Sequence, residues 1–159
     1  MQIDEHLKWC LKDPRRLIKT QPDLNLAKKH IKKSEYNYGV VQTLERLKIY
    51  DWALNIGFYA IYHCFLAILA KYGYESKNQS CTITVLLNLI NESKLSLDKD
   101  LVAQFDTLDI EKNITNPTVR ESRELSTYGV ETSIDLQQLK KIKELALKVQ
   151  KETIRILGE

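Results

Sequence analysis

The stretch from Asp51 to Tyr72, DWALNIGFYAIYHCFLAILAKY, constrains this chain more than any other. Between Trp52 and Ala70 only Asn55 and His63 carry strongly polar side chains, so a helix here is apolar on nearly every face. Such a helix has to be buried, and the rest of the chain has to cover it. The run of 19 residues also reaches the length of a membrane span. An amide, an imidazole, a glycine and two tyrosines inside the run, with amphipathic segments around it, favour a core helix instead, and no membrane association is expected. Asp51 suits the N-cap, where its carboxylate accepts from the first-turn amides. Gly73 is placed to stop the helix in a left-handed conformation.

What covers this helix is itself helical. Five Gly and three Pro in 159 residues are few breakers, and Lys, Glu, Leu and Ile are abundant, which points to a single all-α domain. Ile3, Leu7, Cys10 and Leu11 share one face of a short amphipathic helix that ends at Pro14. The link RRLIKTQPD is extended ahead of Pro22, and residues 1–22 read as this short helix and a basic link. The bundle proper occupies 23–159. Asp23 caps a helix to about Leu47 whose inner side carries Leu24, Ala27, Ile31, Tyr38, Val41, Leu44 and Leu47. Residues Lys48 to Tyr50 turn it into the central helix as a hairpin. After a polar loop, YESKNQS, a helix spans about 79–92. Ser96 or Asp98 opens another to about Lys112, with Leu101, Val102, Phe105 and Leu108 inward. Pro117, Thr118 and Glu121 form the start of a short helix with a capping box. The last helix begins at Ser133 or Asp135 and carries the stripe Leu136, Leu139, Ile142, Ala146, Val149, Thr153 and Ile156.

Charge and cysteine content narrow the function classes only a little. Residues 1–33 hold nine Lys or Arg against four Asp or Glu, whereas the whole chain holds 24 against 21. A basic N-terminal third attracts polyanions, although a solvated lysine-rich face explains the same pattern. Cys10, Cys64 and Cys81 show no metal-binding spacing, and Cys64 on the central helix reads as a small buried hydrophobe. An odd cysteine count and no apolar export segment near the N-terminus fit a reducing cytoplasm. Neither a metal nor a cofactor is indicated.

No phosphate-cradling loop, HExxH or nucleophile elbow is present. His6, His30 and His63 are scattered, and His63, among Tyr59, Tyr62 and Phe65, reads as a core histidine held by a hydrogen bond. The densest polar stretch is Arg120, Glu121, Ser122, Arg123, Glu124, Ser126, Thr127 and Tyr128. Arg120 and Arg123 share a helix face, so their guanidinium groups can converge on a phosphate or a carboxylate. Pairing of Arg120 with Glu124 one turn on, and of Arg123 with a helix C-terminus or a neighbouring chain, is the plainer account of them.

The hairpin with YDWALNIGFYAIYHCFLAILAKYGYESK as its second helix, the CTITVLLNLI helix, the arginine segment ending in Tyr-Gly and the long last helix together resemble the HEPN domain family of prokaryotes. The similarity covers about residues 23 to 158, and the KWCLKD segment resembles an extension of some archaeal members. The resemblance implies an up-and-down bundle of four to five main helices, with the short N-terminal helix added, that forms a homodimer with a cleft near the arginine segment. Many members are metal-independent ribonucleases with Arg-x-x-x-x-His, and many pair with a minimal nucleotidyltransferase as toxin and antitoxin. On this chain Arg123 falls on the family arginine, and Tyr128 stands where the histidine belongs.

That departure has a chemical consequence. Attack of an RNA 2′-hydroxyl needs a base and an acid; a histidine with a pKa near 6.5 serves both, whereas tyrosine at about 10 is a poor base. Arginine stabilises charge but takes up no proton. The resemblance therefore implies a binding module for RNA, a nucleotide or a partner protein, with Arg120, Arg123, Glu124 and His63 around the cleft and Arg123 and Tyr128 at the position of the catalytic pair. The alternative is an endoribonuclease using Arg123 with a displaced acid or base, His63 or Tyr128. A helical scaffold without a ligand fits the same periodicity.

Overall fold

The computed structural model describes residues 2–105 and 136–159. Within them the chain is an all-α bundle of six helices with one small strand pair. These are α1 (Ile3–Leu11), β1 (Leu17–Lys19), α2 (Leu24–Arg46), α3 (Tyr50–Tyr72), β2 (Tyr74–Ser76), α4 (Gln79–Asn91), α5 (Lys99–Phe105) and α6 (Leu136–Leu157).

The apolar stretch forms α3, and its burial follows from its composition. Leu54, Phe58, Ile61, Phe65, Ile68 and Leu69 are fully enclosed, so the helix is covered on more than one side. It is the one helix among the described residues long and apolar enough to cross a membrane, and most of its apolar window is buried against the rest of the chain. Its C-terminus ends as the sequence predicts: Gly73 has φ of 82°, and a Cβ there would meet the Thr20 carbonyl oxygen at 2.6 Å. Its N-terminus differs. Ile49 occupies the N-cap with no side-chain hydrogen bond, and Asp51 lies in the first turn, where its charge still faces the positive end of the helix dipole.

Helices α2 and α3 are the antiparallel arms of a hairpin. The Asp23 amide donates to the Ala70 carbonyl at 2.8 Å, and the Ser34 hydroxyl donates to the Ala60 carbonyl at 2.6 Å, so the pairing runs in opposite directions. Asp23 caps α2 by accepting from the Leu26 amide at 2.9 Å. The inner side of α2 is more polar than its leucines suggest. Ala27, Ile31, Ser34, Asn37 and Val41 are buried, whereas Leu24 and Leu47 at its two ends are 42% and 64% exposed.

Helix α6 lies against both arms. It approaches α3 closely at Gly57, where a Cβ would stand 2.5 Å from Ile142 Cγ2. Farther along, Lys71 Nζ donates to the Ile156 carbonyl, so α3 and α6 run parallel. Lys143 Nζ meets Glu45 at 3.0 Å, and Gln150 Nε2 donates to Ser34 Oγ at 2.9 Å, so α6 runs antiparallel to α2. Leu139, Ile142, Ala146, Val149, Thr153 and Ile156 face inward as the stripe predicts, joined by Leu145 and Gln150; Leu136 is 56% exposed.

The remaining elements close the other side of α3. Asn78 caps α4 by accepting from the Cys81 amide, and the β-branched run forms a helix, as expected. Leu101, Val102 and Phe105 of α5 are buried, and Phe105 stacks on Phe58 with ring centres 4.7 Å apart. The segment after Gly73 is not simply a loop: Tyr74–Ser76 pairs antiparallel with Leu17–Lys19, which uses the extended link before Pro22. Three residues a side are too few to show strand periodicity in the sequence.

Candidate functional site

His30 and His63 meet at the outer edge of the hairpin. His30 follows Ala27 by one turn of α2, which leaves it beside the buried stripe rather than within it. His63 follows Tyr59 by one turn on the half-buried edge of α3. Both lie at nearly the same distance along the chain from the Leu47–Ile49 turn, so antiparallel pairing sets them opposite one another. Their Nδ1 atoms are 3.0 Å apart and their rings are tilted by 32°.

This geometry fixes the charge of the pair. A hydrogen bond between two ring nitrogens needs one donor and one bare lone pair, so at least one ring is neutral. Burial is the main cause holding His63 down at about 4, with the neighbouring His30 and Lys33 adding to it. Burial also lowers His30. Near neutral pH both imidazoles are uncharged, and the positive field comes from lysines. Lys28, Lys29, Lys32 and Lys33 are all exposed on α2, and Lys33 Nζ lies 4.9 Å from the centre of the exposed Tyr36 ring.

Of the residues expected to surround a cleft, His63 is the one described. It is half-buried rather than sunk in the core, and its partner is His30 instead of a carboxylate or an arginine. Arg120, Arg123, Glu124 and Tyr128 lie outside the described residues, as do Leu108, Lys112, Pro117, Thr118, Glu121, Ser133 and Asp135. His30 was open to sequence reasoning through its near-mirror position about the hairpin turn.

Beneath the pair lies a buried polar node. Ser34 Oγ donates to the Ala60 carbonyl, accepts from Gln150 Nε2, and sits 3.2 Å from Cys64 Sγ. The thiol of Cys64 is pushed up to about 12 by burial, so it is an inert core group, as its place on α3 suggests. A groove of about 550 Å³ opens farther along the bundle, with Leu139 and Leu147 on its apolar side and Glu45 and Lys143 already paired across it.

The other two cysteines depart from the expectation of reduced thiols. Cys10 of α1 and Cys81 of α4 form a disulfide across 71 residues. A ring nitrogen of His6 and both sulfurs lie within 4.8 Å of one another. No local spacing announces this group, because its members come from two helices that meet only in the folded chain.

Compared with known proteins, the chain matches no protein-family model and no curated protein.

Proposed function

We propose that this chain is a HEPN-like helical module that works as a cytoplasmic homodimer and binds RNA or a nucleotide. On this reading it belongs to a toxin–antitoxin or defence type of system, with a minimal nucleotidyltransferase as partner, and has lost the family's catalytic histidine. The observation that carries a binding role is the His30–His63 pair at the edge of a lysine-bearing α2. Two imidazoles bonded to each other and held uncharged offer planar ring faces beside cationic side chains, which suits bases and phosphates. The same pair argues against a general-acid role for His63. A catalytic acid needs a proton to give at neutral pH, and a group held at about 4 has none.

RNA binding and cleavage in EDTA test this reading, with labelled single-stranded RNA and transfer RNA and the variants His63→Ala, Arg123→Ala and Lys29→Glu/Lys33→Glu. The expected outcome is a gel shift without cleavage, weakened about tenfold or more by the double charge reversal. Cleavage by the wild type that Arg123→Ala or His63→Ala abolishes would instead establish a metal-independent endoribonuclease with a displaced acid or base. A protein that binds no RNA or nucleotide and runs as a monomer at micromolar concentration would sink the proposal.

A further inference from the structure

The contact between α1 and α4 has more chemistry than a crosslink requires. Cys10 and Cys81 are both fully buried, and His6 follows the same face of α1 one turn before Cys10. The hydrogen bonds around His6 determine which of its nitrogens is bare. Thr84 Oγ1 spends its one hydrogen on the Ser80 carbonyl at 2.9 Å, so its 2.6 Å contact with His6 Nδ1 needs the ring N–H as donor. Nε2 therefore keeps a lone pair that, among the described residues, is met only by a long 3.4 Å contact from the Ser80 hydroxyl. The ring plane is fixed as well. His6 stacks on Trp9 at 5.4 Å, and Arg16 covers Trp9 from 3.7 Å.

An imidazole with one nitrogen anchored to an oxygen acceptor and the other left bare is the arrangement that metal-binding histidines adopt. Two sulfurs and a nitrogen around one zinc ion stand about 3.3–3.8 Å apart, given Zn–S near 2.3 Å and Zn–N near 2.0 Å. A ring nitrogen of His6 and both sulfurs already lie within 4.8 Å of one another. Opening the disulfide frees the sulfurs to move apart by side-chain rotation.

We propose that His6, Cys10 and Cys81 form a redox-gated site for a thiophilic divalent cation of the zinc class, with the disulfide as its oxidised, metal-free state. The exchange balances with a thiol reductant. Two R–SH groups deliver two electrons and two protons to the S–S bond, giving two cysteine thiols and R–S–S–R. The cation then displaces the two thiol protons and forms two bonds to sulfur and one to nitrogen, and a water fills the fourth position. In a reducing compartment the metal takes over the task of tying α1 to α4. This site is independent of the proposed RNA-binding face.

Cobalt(II) titration of the full-length protein, reduced with a phosphine under anaerobic conditions, tests the proposal, followed by competition with zinc. The reduced wild type is expected to bind one equivalent with the visible bands and thiolate charge transfer of a tetrahedral sulfur-ligated ion. The oxidised protein and Cys10→Ser/Cys81→Ser are expected to show neither. His6→Ala is expected to weaken binding at least about tenfold, and Thr84→Val, which releases the anchoring hydrogen bond together with the hydroxyl's bond to the Ser80 carbonyl, by about tenfold. Cys64→Ser retains full binding. Circular dichroism on each variant separates lost ligands from lost fold, and Thr84→Val tests the same geometry with both thiols in place. If the reduced, folded wild type binds cobalt no better than the double serine variant, or if only Cys64→Ser loses binding, the proposal is overturned.

Discussion

Protonating His63 costs the fold, because it charges a half-buried ring that already faces His30 and the Lys33 cation. Its folded value of about 4 lies below the ordinary value of 6.5, so the unfolded chain binds the proton first as pH falls. The contribution of neutral His63 is complete above about pH 6.5 and is lost between there and about pH 4, by on the order of 2 kcal/mol once solvent screening of the half-exposed ring is allowed for. Urea unfolding at pH 7.5 and 4.5 checks this, and His63→Gln is expected to flatten the difference; an equal slope in both proteins would refute the assignment. Ser34→Ala acts at the next layer down. It removes the acceptor of Gln150 Nε2 inside the three-helix contact, with an expected loss of about 1–3 kcal/mol in denaturant. Replacing Gln150 as well by leucine is expected to return part of that loss, since the stranded Gln150 amide is then removed. Sequence alone placed a serine and a glutamine on otherwise regular helices; their burial depends on the mutual contact that makes it tolerable.

Elements built on long apolar runs were legible, and contacts between elements were not. The α3 core helix, the Asp23 cap, the Gly73 stop and the inner stripe of α6 each follow from residues within one segment. The β1–β2 pair was missed because three residues a side carry no period, and the Asp51 cap because the helix is capped at Ile49, two residues earlier. At the candidate site, the histidine pair needs hairpin register and the Cys10–Cys81 pair needs tertiary contact, so neither shows as a motif. Close approach of α3 and α6 is the element-scale feature most open to test. Gly57→Ala places a methyl against Ile142 Cγ2, and either the Ile142 side chain or one of the two helices must shift. The expected destabilisation is about 1–3 kcal/mol. The double variant with Ile142→Val is expected to recover part of it in thermal melts; equal stability of Gly57→Ala and wild type would show that the helices are farther apart.

At the scale of the whole chain, the disulfide restricts the unfolded state through the 71 residues it spans. On the chain-entropy account a loop of that size contributes about 4 kcal/mol, so reduction in the absence of metal is expected to lower the unfolding midpoint in urea. Cys10→Ser/Cys81→Ser should match the reduced wild type, and no shift in either would mean that the bond adds nothing to stability. The same loop contains all of β1, α2, α3 and β2, with the hairpin turn at its far end. Lys48 at that turn is exposed and has φ of 60°, a conformation lysine rarely adopts, which makes it an accessible site for trypsin. A chain nicked there is no longer continuous, yet its two pieces stay joined through sulfur. On a denaturing gel the nicked protein should migrate as one band until a reductant is added and as two afterwards, so a routine digest reports whether the ring is closed.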